Sequence, residues 1–507
     1  LQQFCTYHFD CRDKFDYDLI RNIFCILMGL PLDRNKINFT KESIKQLISI
    51  CSGSKDFVEI LTEFLVDNVV SEKNYYYLLD AFVYFMCNPV NAKSQLIIID
   101  NIQKADISIL RFLMRTITRI LNCSCKVIIV LIYNTEQVSI EHTTALNEYL
   151  DFMECKKFEY SSQIYSFTCK PFSYKETKLL LKTSLFLNEN ENFLLNSLVN
   201  QAGNTPFEII MMFEYLNQSK IIKWIDSQNW YIAEPEKYKE FIKKCQYYTK
   251  NILEKRYKLF CLKSSEKEKK YFKEIVSSIL FFRGNIPYDY LEEMNISDEI
   301  LDNMEETLWI SMHPSEGIQF YHDNIQRYFE SKPIFNNNYN CGNKIISWFE
   351  SKPYILTQHE KKVLFYCYYK VKHYKEAKEI GLQYIRKSIE MLNFSEAIEI
   401  GLLLYSNNKI INNDEKFYVE VGLETAYALL RMGNTRKSNS IFCTVVPLLI
   451  KQKNNFEKNY ILVRLHNAVN SYIQSDYYGK ALEFLFQMES LDFITEFYRF
   501  IIEDRKA

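Results

Sequence analysis

Glycine is scarce in this chain: 11 among 507 residues, where globular proteins use about 7%. Prolines number only 10. An all-β barrel or sandwich needs frequent Gly/Pro turns, so that architecture is disfavoured and a mostly helical chain is expected. Long apolar runs are also missing. The longest, around Val127–Ile132, is strand-sized and falls far short of the roughly 18–20 residues of a membrane span. No secretory leader is visible, because Leu1-Gln2-Gln3-Phe4-Cys5 lacks a charged first region. The chain also begins without Met, which suggests a fragment or a processed product. A dominant charge is lacking too. The net formal charge is −1, so no overall field draws the chain to nucleic acid or membrane. Among 14 cysteines there is no C-x-x-C pair. Scattered in this way they predict buried free thiols in a reducing, cytoplasmic compartment, and they offer no metal-ligand spacing.

What is abundant is aromatic and apolar surface. There are 37 Phe and 37 Tyr, 48% apolar and 25% charged residues, the balance of a soluble globular protein. The length suggests about three or four domains. Residues 1–160 alternate strand-like and helix-like runs: Phe4–Phe9, a helical Tyr17–Met28, the apolar Ser94–Asp100, an amphipathic Ser108–Leu121, and the apolar Lys126–Tyr133. Continuous β-branched runs between helices predict a parallel sheet buried on both faces. Residues 161–265 read as helical, opened by the capping box Ser173-x-x-Glu176, with Leu179–Leu187 as its apolar face. Residues 266–340 read as a small helical domain with a hairpin around Pro314/Gly317, the pattern of a winged helix. Residues 341–507 contain a repeat. His373–Ala377, Asn393–Ala397, Asn434–Ser438 and Tyr478–Ala481 each open a helix and place a small residue at 377, 397, 438 or 481. Paired helices of this spacing form an α-solenoid.

The sharpest single feature is Leu96-Ile97-Ile98-Ile99-Asp100-Asn101. An apolar strand ending in Asp has the form of a Walker B element, whose carboxylate sits at the ligand-binding edge of a parallel sheet and holds Mg²⁺. Many buried strands end in Asp for plainer reasons, helix capping among them. In order along the chain come I-I-I-D-N-I-Q-K-A-D, Phe167–Thr177 (F-T-C-K-P-F-S-Y-K-E-T), Gly203-Asn204-Thr205-Pro206-Phe207, Asn229-Trp230, and Tyr321-His322-Asp323-Asn324-Ile325-Gln326-Arg327. This ordered set, followed by the repeats, resembles the STAND class of AAA-related ATPases, regulators of the maltose-regulon-activator type. The resemblance runs from about residue 1 to about 490. It implies an AAA-type P-loop NTPase α/β domain (1–160, incomplete), a helical lid and linker (161–265), a winged helix (266–340), and tetratricopeptide-like (TPR-like) helical repeats (341–507). It also implies that Pro206 packs near the base and that His322 contacts the ADP phosphate. Their plainer readings are a helix-start proline and a histidine capping the last helix, with Asp323 in its first turn.

Three departures stand out. No G-x-x-x-x-G-K-[ST] loop occurs, and Gly53-Ser54-Lys55 cannot replace it because the first glycine is missing. Phe4–Phe9 resembles the family's second strand, so the phosphate loop is expected before Leu1. Asn101 stands where active relatives carry an acid, so hydrolysis is expected to be slow or absent, and no catalytic residue is assigned. The strand Val127–Tyr133 runs into Asn134-Thr135-Glu136 without the arginine that relatives often place there.

By resemblance the protein is an ATP/ADP-dependent switch with Mg²⁺ on Asp100, provided a P-loop lies upstream. Asp100, Asn101, Pro206 and His322 are its candidate nucleotide-site residues. A protein or small-molecule inducer on the TPR-like region would favour opening and self-association. Output, transcriptional or signalling, would come from a domain outside this chain. Nucleic acid would be met only through that domain, and membrane not at all. The alternative is a non-enzymatic TPR-like scaffold on a degenerate ATPase module, which Asn101 favours. A third class, direct nucleic-acid binding, rests on Lys237–Lys270 alone, where 12 Lys/Arg face 4 Glu.

Overall fold

The computed structural model describes residues 4–11, 18–28, 55–67, 74–88, 94–105, 107–123, 127–134, 140–170, 172–184, 205–225, 229–244, 249–313, 317–411 and 414–506. The chain is mostly helical, with one small parallel sheet near its start and two antiparallel hairpins. Two compact units arise, one from residues 1–165 with 355–507, the other from 166–354.

In the first unit, β1 (Phe4–Asp10), β2 (Ser94–Asp100) and β3 (Val127–Leu131) form an all-parallel sheet in that order. The register sets Asp10 beside Asp100 and Ile99 beside Leu131. Gln95, Ile97 and Ile99 lie on one buried face of the central strand. Helices α1 (Asp18–Leu27), α2 (Lys55–Asp67) and α3 (Tyr75–Cys87) meet around Phe24, whose ring packs edge-on against Phe64, Phe82 and Phe85. Arg21 crosses from α1 to donate its Nε hydrogen to the Leu65 carbonyl at 2.7 Å. Helix α4 (Ile107–Ile120) buries Ile109, Leu113 and Ile117, as its period requires, and packs on α5 (Ile140–Glu159). One expectation fails. β3 is not buried on both faces, because Ile128 is 49% exposed and Val130 38%. Among the described residues no strand pairs with its outer edge.

The second unit begins with α6 (Tyr174–Ser184), whose capping box forms as expected: Glu176 accepts from the Ser173 amide at 2.7 Å. That contact holds the Glu176 carboxyl below its usual range. Leu181 supplies the buried face, whereas Leu179 points to solvent, a correction to the apolar stretch expected there. Residues 185–187 lie outside the described part. Next come α7 (Pro206–Gln218), a hairpin of β4 (Ile222–Ile225) and β5 (Asn229–Ile232), α8 (Pro235–Lys244) and α9 (Thr249–Lys263). Trp224 and Trp230 face each other across the hairpin, with ring centres 5.4 Å apart.

The basic run falls on α8, α9 and the start of α10 (Glu266–Phe282). Its lysines form ion pairs along the helices, such as Lys239–Glu236 at 2.9 Å and Lys269–Glu266 at 2.8 Å. Arg256 is instead buried. It packs over the Trp309 ring at 4.4 Å and donates to Met211 Sδ and to the Thr307 carbonyl. Burial pulls its pKa down to about 10. The remaining elements are α11 (Tyr288–Glu293), α12 (Asp298–Glu306), the hairpin β6 (Ile310–His313) and β7 (Gly317–Phe320), α13 (Asp323–Glu330), α14 (Pro333–Asn336) and α15 (Tyr339–Glu350). Ile286 pairs with Ile318 in both directions, at 2.8 and 3.0 Å. Gly317 has φ +100°, and any Cβ there would overlap the Ile286 carbonyl oxygen, so both conformation and space demand glycine.

Nine helices complete the first unit among the described residues: α16 (Gln358–Val371), α17 (Tyr374–Glu390), α18 (Phe394–Tyr405), α19 (Asn408–Ile411), α20 (Glu415–Arg431), α21 (Thr435–Lys451), α22 (Lys458–Ile473), α23 (Tyr478–Glu489) and α24 (Glu496–Lys506). The four repeated segments open α17, α18, α21 and α23, and Ala377, Ala397, Ser438 and Ala481 are all buried. One turn beyond two of them, Gly381 and Gly401 mark still closer approaches. A Cβ on Gly401 would stand 3.1 Å from Thr425 Cβ and overlap its Oγ1.

Two outcomes follow from this packing. Gly401→Ala should cost about 1–3 kcal/mol by overpacking, measured by urea unfolding. Adding Thr425→Ala should recover part of that loss. His359, on the first turn of α16, has its pKa pushed from 6.5 down to about 4 by burial, with Lys362 adding to the effect. Between those values the unfolded chain binds more protons than the folded one. Stability should therefore be full above pH 6.5 and fall as the pH drops toward 4. His359→Gln should flatten that part of the stability–pH curve.

Candidate functional site

Asp100 ends the central strand at the carboxyl edge of the parallel sheet. Its side chain is 32% exposed. Oδ1 accepts the Asn101 amide hydrogen at 2.7 Å, and Oδ2 lies 4.0 Å from Nε2 of His8 on β1. Asn101 adopts the left-handed region, φ 54° and ψ 36°, which asparagine tolerates better than most residues. Its Oδ1 accepts from Gln103 Nε2 at 3.2 Å. Gln103 is buried, and its Oε1 accepts the Asn134 amide at 3.1 Å. The Ile102 amide donates to Ile132 at 3.0 Å. The ends of β2 and β3 are thus sewn together around the acid, and Asp100 is not itself a helix cap.

The other two candidates lie in the second unit. Pro206 is the first residue of α7, with Thr205 as N-cap. His322 caps α13: its Nδ1 accepts from the Asn324 amide at 3.1 Å. The capping roles weighed for both residues are therefore present. The fold also brings the two segments together, because Phe207 stacks on the His322 ring at 3.9 Å and 19°. Asp100 and Asn101 belong to the first unit. Gly203, Asn204, Thr135, Glu136, Gly53, Ser54 and Pro314 lie outside the described residues.

The residues present suit a magnesium ion only in part. Mg²⁺ takes one or two carboxylates and fills its octahedron with water and phosphate oxygens. Asp100 Oδ2, partly exposed, can serve as one such ligand. Among the described residues no group of three or more acids, histidines or cysteines converges, and no glycine-rich loop stands opposite Asp100. Gln103, His8 and Phe207 were missed by the sequence reading. A Gln three residues past the acid carried a faint signal; the other two depend on tertiary packing.

In comparisons with known proteins, no family model, no curated protein and no solved structure matches the chain.

His322→Ala should cost roughly 1–3 kcal/mol, about 1 for the lost cap and 0.5–1.5 for the lost stack. His322→Asn keeps a capping oxygen and loses only the stack, so its loss should be the smaller. Chemical denaturation of the two variants separates the terms.

Proposed function

We propose that this chain is the regulatory part of a STAND-class nucleotide switch. In this reading residues 1–160 are an AAA-type domain, 161–265 a lid, 266–340 a winged helix, and 341–507 TPR-like repeats that receive a protein or small-molecule inducer. The observation that carries the reading is Asp100 at the carboxyl end of the middle strand of an all-parallel sheet. Ligands bind open α/β sheets at that edge. Asp100 would contribute one oxygen to a Mg²⁺ that also meets ATP or ADP. The bound metal would draw the nucleotide phosphates to the sheet edge. The chain's own residues would position that contact. Gln103 fixes the turn after the acid, and the Asn101 amide orients the carboxylate.

Supporting observations lie in the second unit. The G-N-T-P-F and H-D-N-I segments meet through the Phe207–His322 stack, which suits a pair of elements that report on one ligand. The hairpin after α7 and the β6–β7 hairpin bridged by Ile286 suit a lid and a winged helix. Asn101 cannot take a proton from water, so turnover should be slow or nil, and nucleotide would act as a state marker rather than as fuel. A reducing, cytoplasmic setting fits the free thiols. No helix among the described residues is long and apolar enough to cross a membrane.

A second reading, the non-enzymatic scaffold, is favoured by one observation. The Asn101 side chain is engaged by Gln103 in a structural link, which a degenerate module would keep. The test is equilibrium binding of a fluorescent ADP analogue, with and without Mg²⁺, to the protein as its gene encodes it, including any residues before Leu1. The switch reading expects Mg²⁺-dependent binding that falls tenfold or more (at least about 1.4 kcal/mol) in Asp100→Ala. Binding that ignores both Mg²⁺ and the substitution, or no binding at all, would leave the scaffold.

A further inference from the structure

Two cysteines that stand far apart in the sequence meet in the first unit. Cys87 is the last residue of α3, and Cys123 lies in the turn that follows α4. The two helices pack together. Tyr75 meets Phe112 with ring centres 5.6 Å apart, and Asp80 pairs with Arg119. Further along, the Cys87 and Cys123 thiols lie within hydrogen-bonding reach of each other. Facing residues thus climb together along both helices. The helices run side by side in one direction, and their ends bring the two sulfurs to one place.

Both thiols sit on anchored backbone. The Asn88 amide closes α3 by donating to the Tyr84 carbonyl at 2.9 Å, and its side chain donates to the same oxygen at 3.1 Å. The Cys123 amide donates to the Ile120 carbonyl at 2.9 Å, and its thiol to the Arg119 carbonyl at 3.3 Å. The neighbouring Asn122 is held by the Tyr160 hydroxyl at 2.9 Å. Cys123 is exposed and Cys87 half-buried. Desolvation, with the Cys87 thiol adding to it, raises the Cys123 pKa. Cys123 is therefore a thiol at neutral pH and a slow nucleophile there.

We propose that Cys87 and Cys123 form a reversible dithiol–disulfide site, oxidised by exchange with a small disulfide of the oxidised-glutathione class. Cys123, the exposed member, gives up its proton and attacks one sulfur of the small disulfide. That S–S bond breaks, a mixed disulfide forms on Cys123, and the departing thiolate takes up the proton. Cys87 then loses its proton and attacks the Cys123 sulfur, and the second small thiolate leaves with that proton. Two protein thiols are oxidised to one disulfide, and one small disulfide is reduced to two thiols. The new bond would join the segments that lead into β2 and β3, at the edge of the sheet opposite Asp100. The loop it closes, residues 88–122, holds β2, the Asp100 turn and all of α4. Such a closure restricts the unfolded chain and so favours the folded one. The site does not depend on nucleotide at Asp100.

The test is incubation of the full chain with oxidised glutathione at mildly alkaline pH, followed by alkylation, digestion without reductant and peptide mapping by mass spectrometry. A Cys87–Cys123 cross-linked peptide is expected, with a rise in Tm of several degrees that dithiothreitol reverses. Cys87→Ser removes the resolving thiol. Cys123 should then accumulate as the glutathione adduct, and oxidation should no longer raise Tm. The wild-type map decides the pairing by itself, so the test stands even if the variant unfolds. Glutathione left on Cys123 of the wild type without the cross-link, or a link from Cys123 to another cysteine, overturns the proposal. So does modification of the exposed Cys155 and Cys443 with Cys123 untouched, or a Cys87–Cys123 link that leaves Tm unchanged.

Discussion

A parallel strand must be covered on both edges and both faces, and the first unit is arranged around the one strand that comes closest to this. β2 has β1 on one side and β3 on the other, and one of its faces, with Gln95, Ile97 and Ile99, is buried. Its carboxyl end cannot be covered in the same way, since the chain must leave the sheet there. Asp100 occupies that exit. The left-handed Asn101, the buried Gln103 and the amide of Asn134 all serve to turn the chain without leaving a polar group stranded. The position of α4 is set by that turn.

β3 shows the same constraint unmet. Ile128 and Val130, with Ile132 just past the strand, leave one face of it exposed, and no described strand covers its outer edge.

The elements were largely legible in the sequence, for identifiable reasons. Runs such as S-Q-L-I-I-I-D have a single periodicity, and Ser173-x-x-Glu176 has a single stable geometry. The repeat was legible through its small residues, because helices in contact leave room only for Ala, Ser or Gly. Contacts between distant segments were not legible. Leu179 fits an apolar stripe on paper yet faces water, since the buried side of α6 is set by Leu181 and its neighbours. Nothing local marks Arg256 as buried: it sits inside a basic run, and only Trp309, Met211 and Thr307, brought from other elements, make its burial tolerable. The same holds for the candidate site. Asp100 could be named from its strand, whereas the Phe207–His322 stack joins residues more than a hundred positions apart.

The glycines of the C-terminal helices have a mechanical meaning. Gly381 meets Leu404 and Phe365, Gly401 meets Thr425, and Gly422 meets Val445 and Tyr405, each at a spot where no side chain of its own cushions the contact. Helices joined through long side chains can rock, because rotamers absorb the motion. Helices that bear backbone against a neighbouring side chain behave like stacked vertebrae. A tilt imposed at one of these contacts would carry the neighbouring helix with it, because no rotamer of a glycine can absorb it.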